Sequence, residues 1–313
     1  MPFKPKVADD VLKEIKNCKV FGDIESFVSR NDTRRRLIRS FYPLPPGAAD
    51  NNLTIVTGTE DSGKSWLATW CLEVCALLDR DVRYVEISDG TSKTWLDALL
   101  QIRGGFKSAG VASLVHRELD HKFFEQFYWE LEHYSKALPI PVRDAEQSII
   151  PKDDYKLGGG WAVDFEIGLI KLFLESLARI GTADNPLIIV FDHFENMEED
   201  DMKRFLIPAL FEPVAGGLYK SLKFILVLTE SESRRFKIEN LLARADVVSL
   251  ELFDKLTFVE AIGDFLRMIS KLEKIDYSEE KIEEAAAQFG ALLKDNGTFK
   301  PERLKLLKGA LVG

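Results

Sequence analysis

The stretch Leu53-Thr54-Ile55-Val56-Thr57-Gly58-Thr59-Glu60-Asp61-Ser62-Gly63-Lys64-Ser65 constrains this chain more than any other. An apolar, β-branched run stops at Gly58. After four residues come Gly63, Lys64 and Ser65, and a helical apolar pattern starts at Trp66. The pattern G-x-x-x-x-G-K-[ST] carries meaning only between a strand and a helix, and both flanks are present. Its glycines let the backbone curl so that successive N–H groups point inward as an anion nest. The helix adds its positive N-terminal end. In such a cradle Gly58, Thr59, Glu60, Asp61, Ser62, Gly63, Lys64, Ser65 and Trp66 wrap a phosphate chain. Lys64 reaches the β/γ-phosphates and the Ser65 hydroxyl ligates Mg²⁺.

The rest of the chain alternates apolar strands with helical patterns. This predicts a parallel sheet covered by helices on both faces. The strands are Leu53–Gly58, Val82–Ile87, Leu187–Asp192, Leu222–Thr229 and Val247–Leu250, which makes a five-stranded sheet. Helical periodicity covers Val7–Cys18, a segment through Ile38 and Phe41, Trp66–Leu78, Trp95–Ile102, Phe165–Ile180 and Met202–Phe211, with a kink expected at Pro208. His116–Leu138 reads as one long helix rich in aromatics, followed by a polar loop over Pro139–Gly160. The tail is helical at Phe258–Leu272, Glu279–Leu293 and Pro301–Leu311. The organisation expected is a lead-in over 1–50, an α/β core over 51–251 with an insertion at about 103–165, and a helical lid over 252–313.

Ligands of such sheets sit at the carboxyl ends of the strands. Asp192 ends one strand and suits a Mg²⁺-holding carboxylate beside Ser65. Glu195, three residues on, suits an acid that orients an attacking water. Thr229 ends another strand.

With these residues the chain resembles the P-loop NTPases, and within them the STAND and AAA+-related ATPases. Asp192-His193-Phe194-Glu195-Asn196 is similar to the extended Walker B motif of the NACHT-like branch, where a second acid follows the aspartate three places later. Phe27-Val28-Ser29-Arg30 looks like the F-x-x-R box that precedes the phosphate loop in the STAND and origin-recognition branches, which implies a position for Arg30 near the nucleotide. Phe224–Thr229 looks like the family's sensor strand, with Thr229 set to feel the γ-phosphate. Gly297–Leu304 resembles the start of the last lid helix, where Arg303 or Lys300 would act as a second sensor. The chain departs from the pattern in two places. His193 stands where motor ATPases carry a glutamate, and Arg234 and Arg235 come later than the family's sensor arginine. The resemblance implies a three-layer P-loop NTPase core with a C-terminal all-helical lid and Mg·ATP bound between them. It also implies slow hydrolysis to ADP and phosphate, coupled to self-association or to a separate effector protein, with a bacterial defence or signalling context. ATP over GTP is part of that resemblance, and the guanine-reading N-K-x-D is absent.

Other classes gain less support. The net charge of −9 disfavours broad contact with nucleic acid. Arg34-Arg35-Arg36 with Arg39 is the best basic run, and it keeps a loader or transposition-regulator ATPase as an alternative. A non-hydrolysing nucleotide-binding scaffold is the other. Three cysteines, with Cys71 and Cys75 inside a helical pattern, do not make a disulfide framework. Met1–Lys6 lacks a signal-peptide core and no apolar run reaches membrane-spanning length, so the expectation is a cytoplasmic protein without membrane contact. His116, His121 and His133 do not form H-E-x-x-H, and no motif sets up nucleophilic catalysis. The aromatic helix 116–138 and the loop 139–160 are the candidate partner surface.

Overall fold

The structure, a computed structural model, describes residues 30–41, 52–78, 80–87, 94–104, 106–107, 115–116, 118–137, 160–252, 255–273 and 278–292. The expected helices Val7–Cys18 and Pro301–Leu311, residues Lys300 and Arg303, and nearly all of the loop 139–160 lie outside these residues.

The described chain runs α1 (Asn31–Ser40), β1 (Leu53–Gly58), α2 (Lys64–Leu77), β2 (Val82–Glu86), α3 (Trp95–Arg103), a small hairpin of β3 (Phe106–Lys107) and β4 (Val115–His116), α4 (Glu125–Ala137), α5 (Gly160–Ala178) and β5 (Leu187–Asp192). Then comes α6, α-helical at Glu199–Asp201, π-helical over Met202–Phe211 and α-helical again at Glu212–Ala215. It is followed by β6 (Leu222–Thr229), α7 (Glu230–Phe236), α8 (Glu239–Leu242), β7 (Asp246–Leu250), α9 (Lys255–Glu273) and α10 (Glu279–Leu292).

Five strands form one all-parallel sheet in the order β2-β5-β6-β1-β7. The central strands β5 and β6 are buried almost end to end, as near-continuous apolar runs require when helices cover both faces. The period of two decides which face each residue joins. Ile188, Val190, Ile225 and Val227 pack with Trp66, Trp70 and Val74 of α2, Leu37 and Ile38 of α1, Phe258 and Phe265 of α9, and Ile282 of α10. Their neighbours Ile189, Phe191, Phe224 and Leu226 pack the other way, with Trp95 of α3, Phe127 of α4, Phe173 of α5 and Phe211 of α6. The molecule is thus an α/β structure with helices on both sides of the sheet. Helices α9 and α10 share the core that holds α2.

The insertion differs from the expectation of one long helix over His116–Leu138. His116 belongs to the hairpin, a 3₁₀ turn occupies His121–Phe123, and α4 starts only at Glu125. Asp120 accounts for the break: its side chain accepts from the Lys122 N–H and starts a separate turn, as a short polar cap does. Phe124 and Phe127 are fully buried, each about 5 Å from the Phe173 ring of α5. Tyr134 stacks on Phe165, while Trp129 remains 56% exposed. Most of the aromatic stripe is core.

Pro208, where a kink is expected, lies inside the π-helical segment Met202–Phe211. Proline has no N–H to give to the helix ladder, and the wider turn absorbs that loss. No helix among the described residues is long and apolar enough to cross a membrane.

Candidate functional site

Register brings the candidate residues to one end of the sheet. Gly58 lies level with Thr229 on one side and with Leu250 on the other. The loop after Gly58 has the curl that an anion nest needs: Asp61 and Gly63 both take left-handed φ values, 62° and 87°. The Leu67 N–H makes the first helical hydrogen bond, to the Gly63 carbonyl. The N–H groups at the start of α2 therefore have no partner inside the helix, the usual state of a helix N-terminus.

Lys64 folds back over the loop and its Nζ donates to the Thr59 carbonyl at 2.6 Å. Burial lowers its pKa. Glu232, Asp192, Glu60 and Asp61 oppose that shift by favouring the ammonium, Glu232 most of all. Trp66, the next candidate in the cradle, is buried in the core that holds α2.

Asp192 is 3% exposed at the end of β5. The Ser65 hydroxyl donates to its Oδ1 at 3.4 Å, and the His193 N–H donates to the same oxygen at 2.9 Å. The Tyr84 hydroxyl of β2 donates to Oδ2 at 3.2 Å, and the His193 Nε2 lies 3.6 Å from it. Burial raises the Asp192 pKa, and His193, Ser65 and Tyr84 work against that rise. His193 itself adopts left-handed backbone, φ 56°, which is uncommon for a residue with a side chain and concentrates at functional sites.

The remaining candidates divide. Glu195 has its backbone in the 3₁₀ turn Phe194–Asn196, and its side chain lies outside the described atoms. The Thr229 hydroxyl accepts from the Glu232 N–H at 3.1 Å and shares a hydrogen bond with Ser231, so it caps α7. The Arg30 guanidinium donates to two backbone carbonyls, Ser62 in the loop at 3.1 Å and Glu251 at 2.5 Å. Burial lowers its pKa to about 10, against the pull of Glu251. Neither late arginine joins the cluster: Arg234 pairs with Glu230 on the surface, and Arg235 donates to the Met197 carbonyl. The basic run is divided too. Arg34 is buried, Arg35 pairs with Asp32, and Arg36 pairs with Asp246.

Two residues of the site escaped the sequence reading. Tyr84 sits mid-strand and gives no motif. Glu232 did carry a signal, because Thr229-Glu230-Ser231-Glu232 is a capping box. Among the described residues no group of three His, Cys, Asp or Glu could hold a metal by itself. Cys71 and Cys75 are free, buried thiols of α2, and burial pushes both pKa values up.

Scanned against protein-family models, the chain matches none, and a search of curated proteins finds no match.

Proposed function

We propose that this chain is a switch-type ATPase that binds Mg·ATP at the carboxyl ends of β1, β5 and β6 and hydrolyses its β–γ bond slowly. The observation that carries the reading is the convergence of Lys64 and Ser65 of the glycine loop with Asp192, 127 residues further along the chain. The Ser65 hydroxyl and the Asp192 carboxylate are hard oxygen donors in contact, the chemistry that suits Mg²⁺. Asp192 is also a buried acid, and a cation beside it would offset the cost of keeping it charged.

In this reading the loop N–H groups and the start of α2 hold the phosphate chain. Lys64 leaves the Thr59 carbonyl for the β- and γ-phosphate oxygens and offsets the charge that builds there. Ser65 and Asp192 hold Mg²⁺, which when bound neutralises phosphate charge. Tyr84 and the His193 N–H fix the Asp192 carboxylate from behind, as outer partners of metal ligands do. Glu195 is the acid that the Walker B resemblance assigns to the attacking water.

Slow turnover follows from what surrounds Asp192. Histidine replaces the adjacent glutamate of a motor, and the Thr229 hydroxyl is engaged in a cap. A slow hydrolytic step suits a switch, in which nucleotide state selects between partner surfaces.

Equilibrium binding of a fluorescent ATP analogue with Mg²⁺ tests the reading. Lys64→Ala should weaken binding by at least about tenfold, because charge-assisted contacts to phosphate are the strong ones. Unchanged binding would refute it. Binding without turnover in the parent protein would favour the scaffold alternative. Duplex DNA binding that falls steeply with salt would favour the loader alternative.

A further inference from the structure

We propose that the protein pairs with a second copy of itself through the outer face of α5, the two helices running antiparallel and crossing at Gly168. The inference does not depend on the nucleotide reading above.

One side of α5 is occupied inside the molecule: Ile170, Phe173, Leu174 and Leu177 pack in the core. The other side carries Asp164, Gly168, Lys171 and Glu175, all exposed, at the spacing that brings residues onto one face of a helix. Phe165 and Leu172, both half-buried, edge that face. With Leu169, and with Glu130 of α4, they line an open groove of about 460 Å³. Among the described residues, neither Asp164 nor Lys171 has an ion-pair partner.

Gly168 is the residue that the protomer does not explain. It lies inside a 19-residue helix, where only proline is less favourable than glycine. No left-handed φ calls for glycine there. Packing does not call for it either, because nothing lies within 4 Å of a Cβ atom at that position. Gly290 of α10 shows the contrast: its Cβ would meet Val259 Cγ2 of α9 at 3.0 Å, so a neighbouring helix uses the space. Gly168 leaves the same kind of space towards the outside. A glycine admits the close approach of another backbone, and a second helix crossing at Gly168 would use it.

The pattern around Gly168 selects the occupant and its direction. With 3.6 residues per turn, Asp164, Lys171 and Glu175 fall on one side of Gly168, and Phe165 and Leu172 fall on the other. A two-fold axis lying across the helices keeps each column on its own side, so charged residues meet charged ones and apolar residues meet apolar ones. It also sets each residue opposite one equally far beyond Gly168 in the other direction. Lys171, three residues after Gly168, then meets Asp164, four before it. Leu172, four after, meets Phe165, three before. Each match is level to within about 1.5 Å, the rise of one residue. Every contact occurs twice, as a two-fold interface requires. A parallel pair would set each charged column against the apolar column of its partner. The face is therefore complementary to itself in one orientation. It is also small, so the association belongs with weak ones, and its Kd should be on the order of 10 µM.

Sedimentation equilibrium without nucleotide, at low salt and over concentrations that span this value, tests the proposal. The samples are the parent protein, Asp164→Lys, Lys171→Asp, the double variant, an equimolar mixture of the two single variants, and Gly168→Gln. The unfolding temperature of each variant at low concentration checks its fold, and all three positions are exposed. The parent should form dimers and nothing larger. Each single reversal places two like-charged pairs in the contact and should weaken it by at least about tenfold. The double variant exchanges the charges of both pairs and should return to within about threefold of the parent. Mixing the two single variants should restore dimers as well, because each charge then meets its opposite across the axis. Gly168→Gln should stay monomeric, since its side chain fills the crossing point. A parent that remains monomeric throughout overturns the proposal, as does a dimer that survives Gly168→Gln. Single variants that are weakened but not rescued, by the double variant or by mixing, overturn it too. Assemblies that grow beyond two copies overturn the two-fold contact.

Discussion

A Cβ atom at Gly58 would lie 2.4 Å from the Leu250 carbonyl oxygen and 2.6 Å from Ser62 Oγ. Both neighbours are held: the carbonyl belongs to the end of β7, and Ser62 is fully buried. Neither can retreat without moving the loop. Gly58→Ala should therefore destabilise the fold by about 2 kcal/mol, in the range of overpacked core sites. Gly168 in α5 is the internal control, because nothing lies within 4 Å of its Cβ position. Gly168→Ala should stabilise by roughly 0.5–1 kcal/mol through backbone entropy alone. Urea denaturation of both variants measures the contrast, and equal effects would refute the steric account. At this scale the sequence was informative where one residue's chemistry is fixed by its neighbours in the chain. Gly58, Lys64 and Ser65 follow from one motif, and Asp192 from the strand before it. It was silent where the partner is remote. The Tyr84 hydroxyl meets Asp192 across 108 residues of sequence, and Arg30 meets Glu251 across 221. The resemblance pointed Arg30 towards the nucleotide, while its described contacts are carbonyls that frame the loop.

The strands were the most legible elements, because β5 and β6 are apolar along their length and bounded by Asp192, Thr229 and turn residues. Helix α4 was not, since Leu119, Phe123 and Phe127 keep an i, i+4 spacing across Asp120 and hide the cap that breaks it. Its contact with α5 also carries a consequence that no pattern discloses. Glu166 of α5 is 2% exposed and accepts from the Tyr134 hydroxyl of α4 at 2.9 Å. Burial pushes its pKa up to about 7, Asp201 adds to the rise, and Tyr134 and Arg204 oppose it. A carboxyl that holds its proton more tightly when folded makes the native state bind more protons than the unfolded chain. Its contribution is present below the ordinary glutamate range and is lost as pH rises through about 7. The loss between pH 5 and pH 8 should be on the order of 2–3 kcal/mol. Glu166→Gln stays neutral and keeps an acceptor for Tyr134, so it should flatten that slope. Urea midpoints of parent and variant at the two pH values decide it, and parallel pH dependences would refute the assignment.

Across the whole molecule, the loop after β1 is not isolated from the C-terminal helices. Arg30 ties the loop to the chain just ahead of α9 by donating to both the Ser62 and the Glu251 carbonyls. Helices α9 and α10 then pack in the same core as α2, the helix that the loop begins, and Arg267 of α9 pairs with Glu279 at the start of α10. A ligand that draws the loop closed would therefore act on a continuous body of packing that includes the helices expected to form a lid. Whether it also changes assembly depends on differential affinity, since a nucleotide that binds two states equally shifts neither. A slowly hydrolysed ATP analogue with Mg²⁺ at a hundred times its Kd should stabilise the folded protein by about 2.7 kcal/mol. For a domain of this size that raises Tm by roughly 5–10 °C. Under the switch reading the same additions should also change the mass seen by size exclusion with light scattering. Leaving out Mg²⁺ should reduce both effects, because Ser65 and Asp192 then lack the ion that links them to the phosphates. A rise in Tm with constant mass would keep nucleotide binding and exclude self-association as its output. That would leave a separate protein as the partner to be found, and Trp129, exposed on α4, as the place to begin.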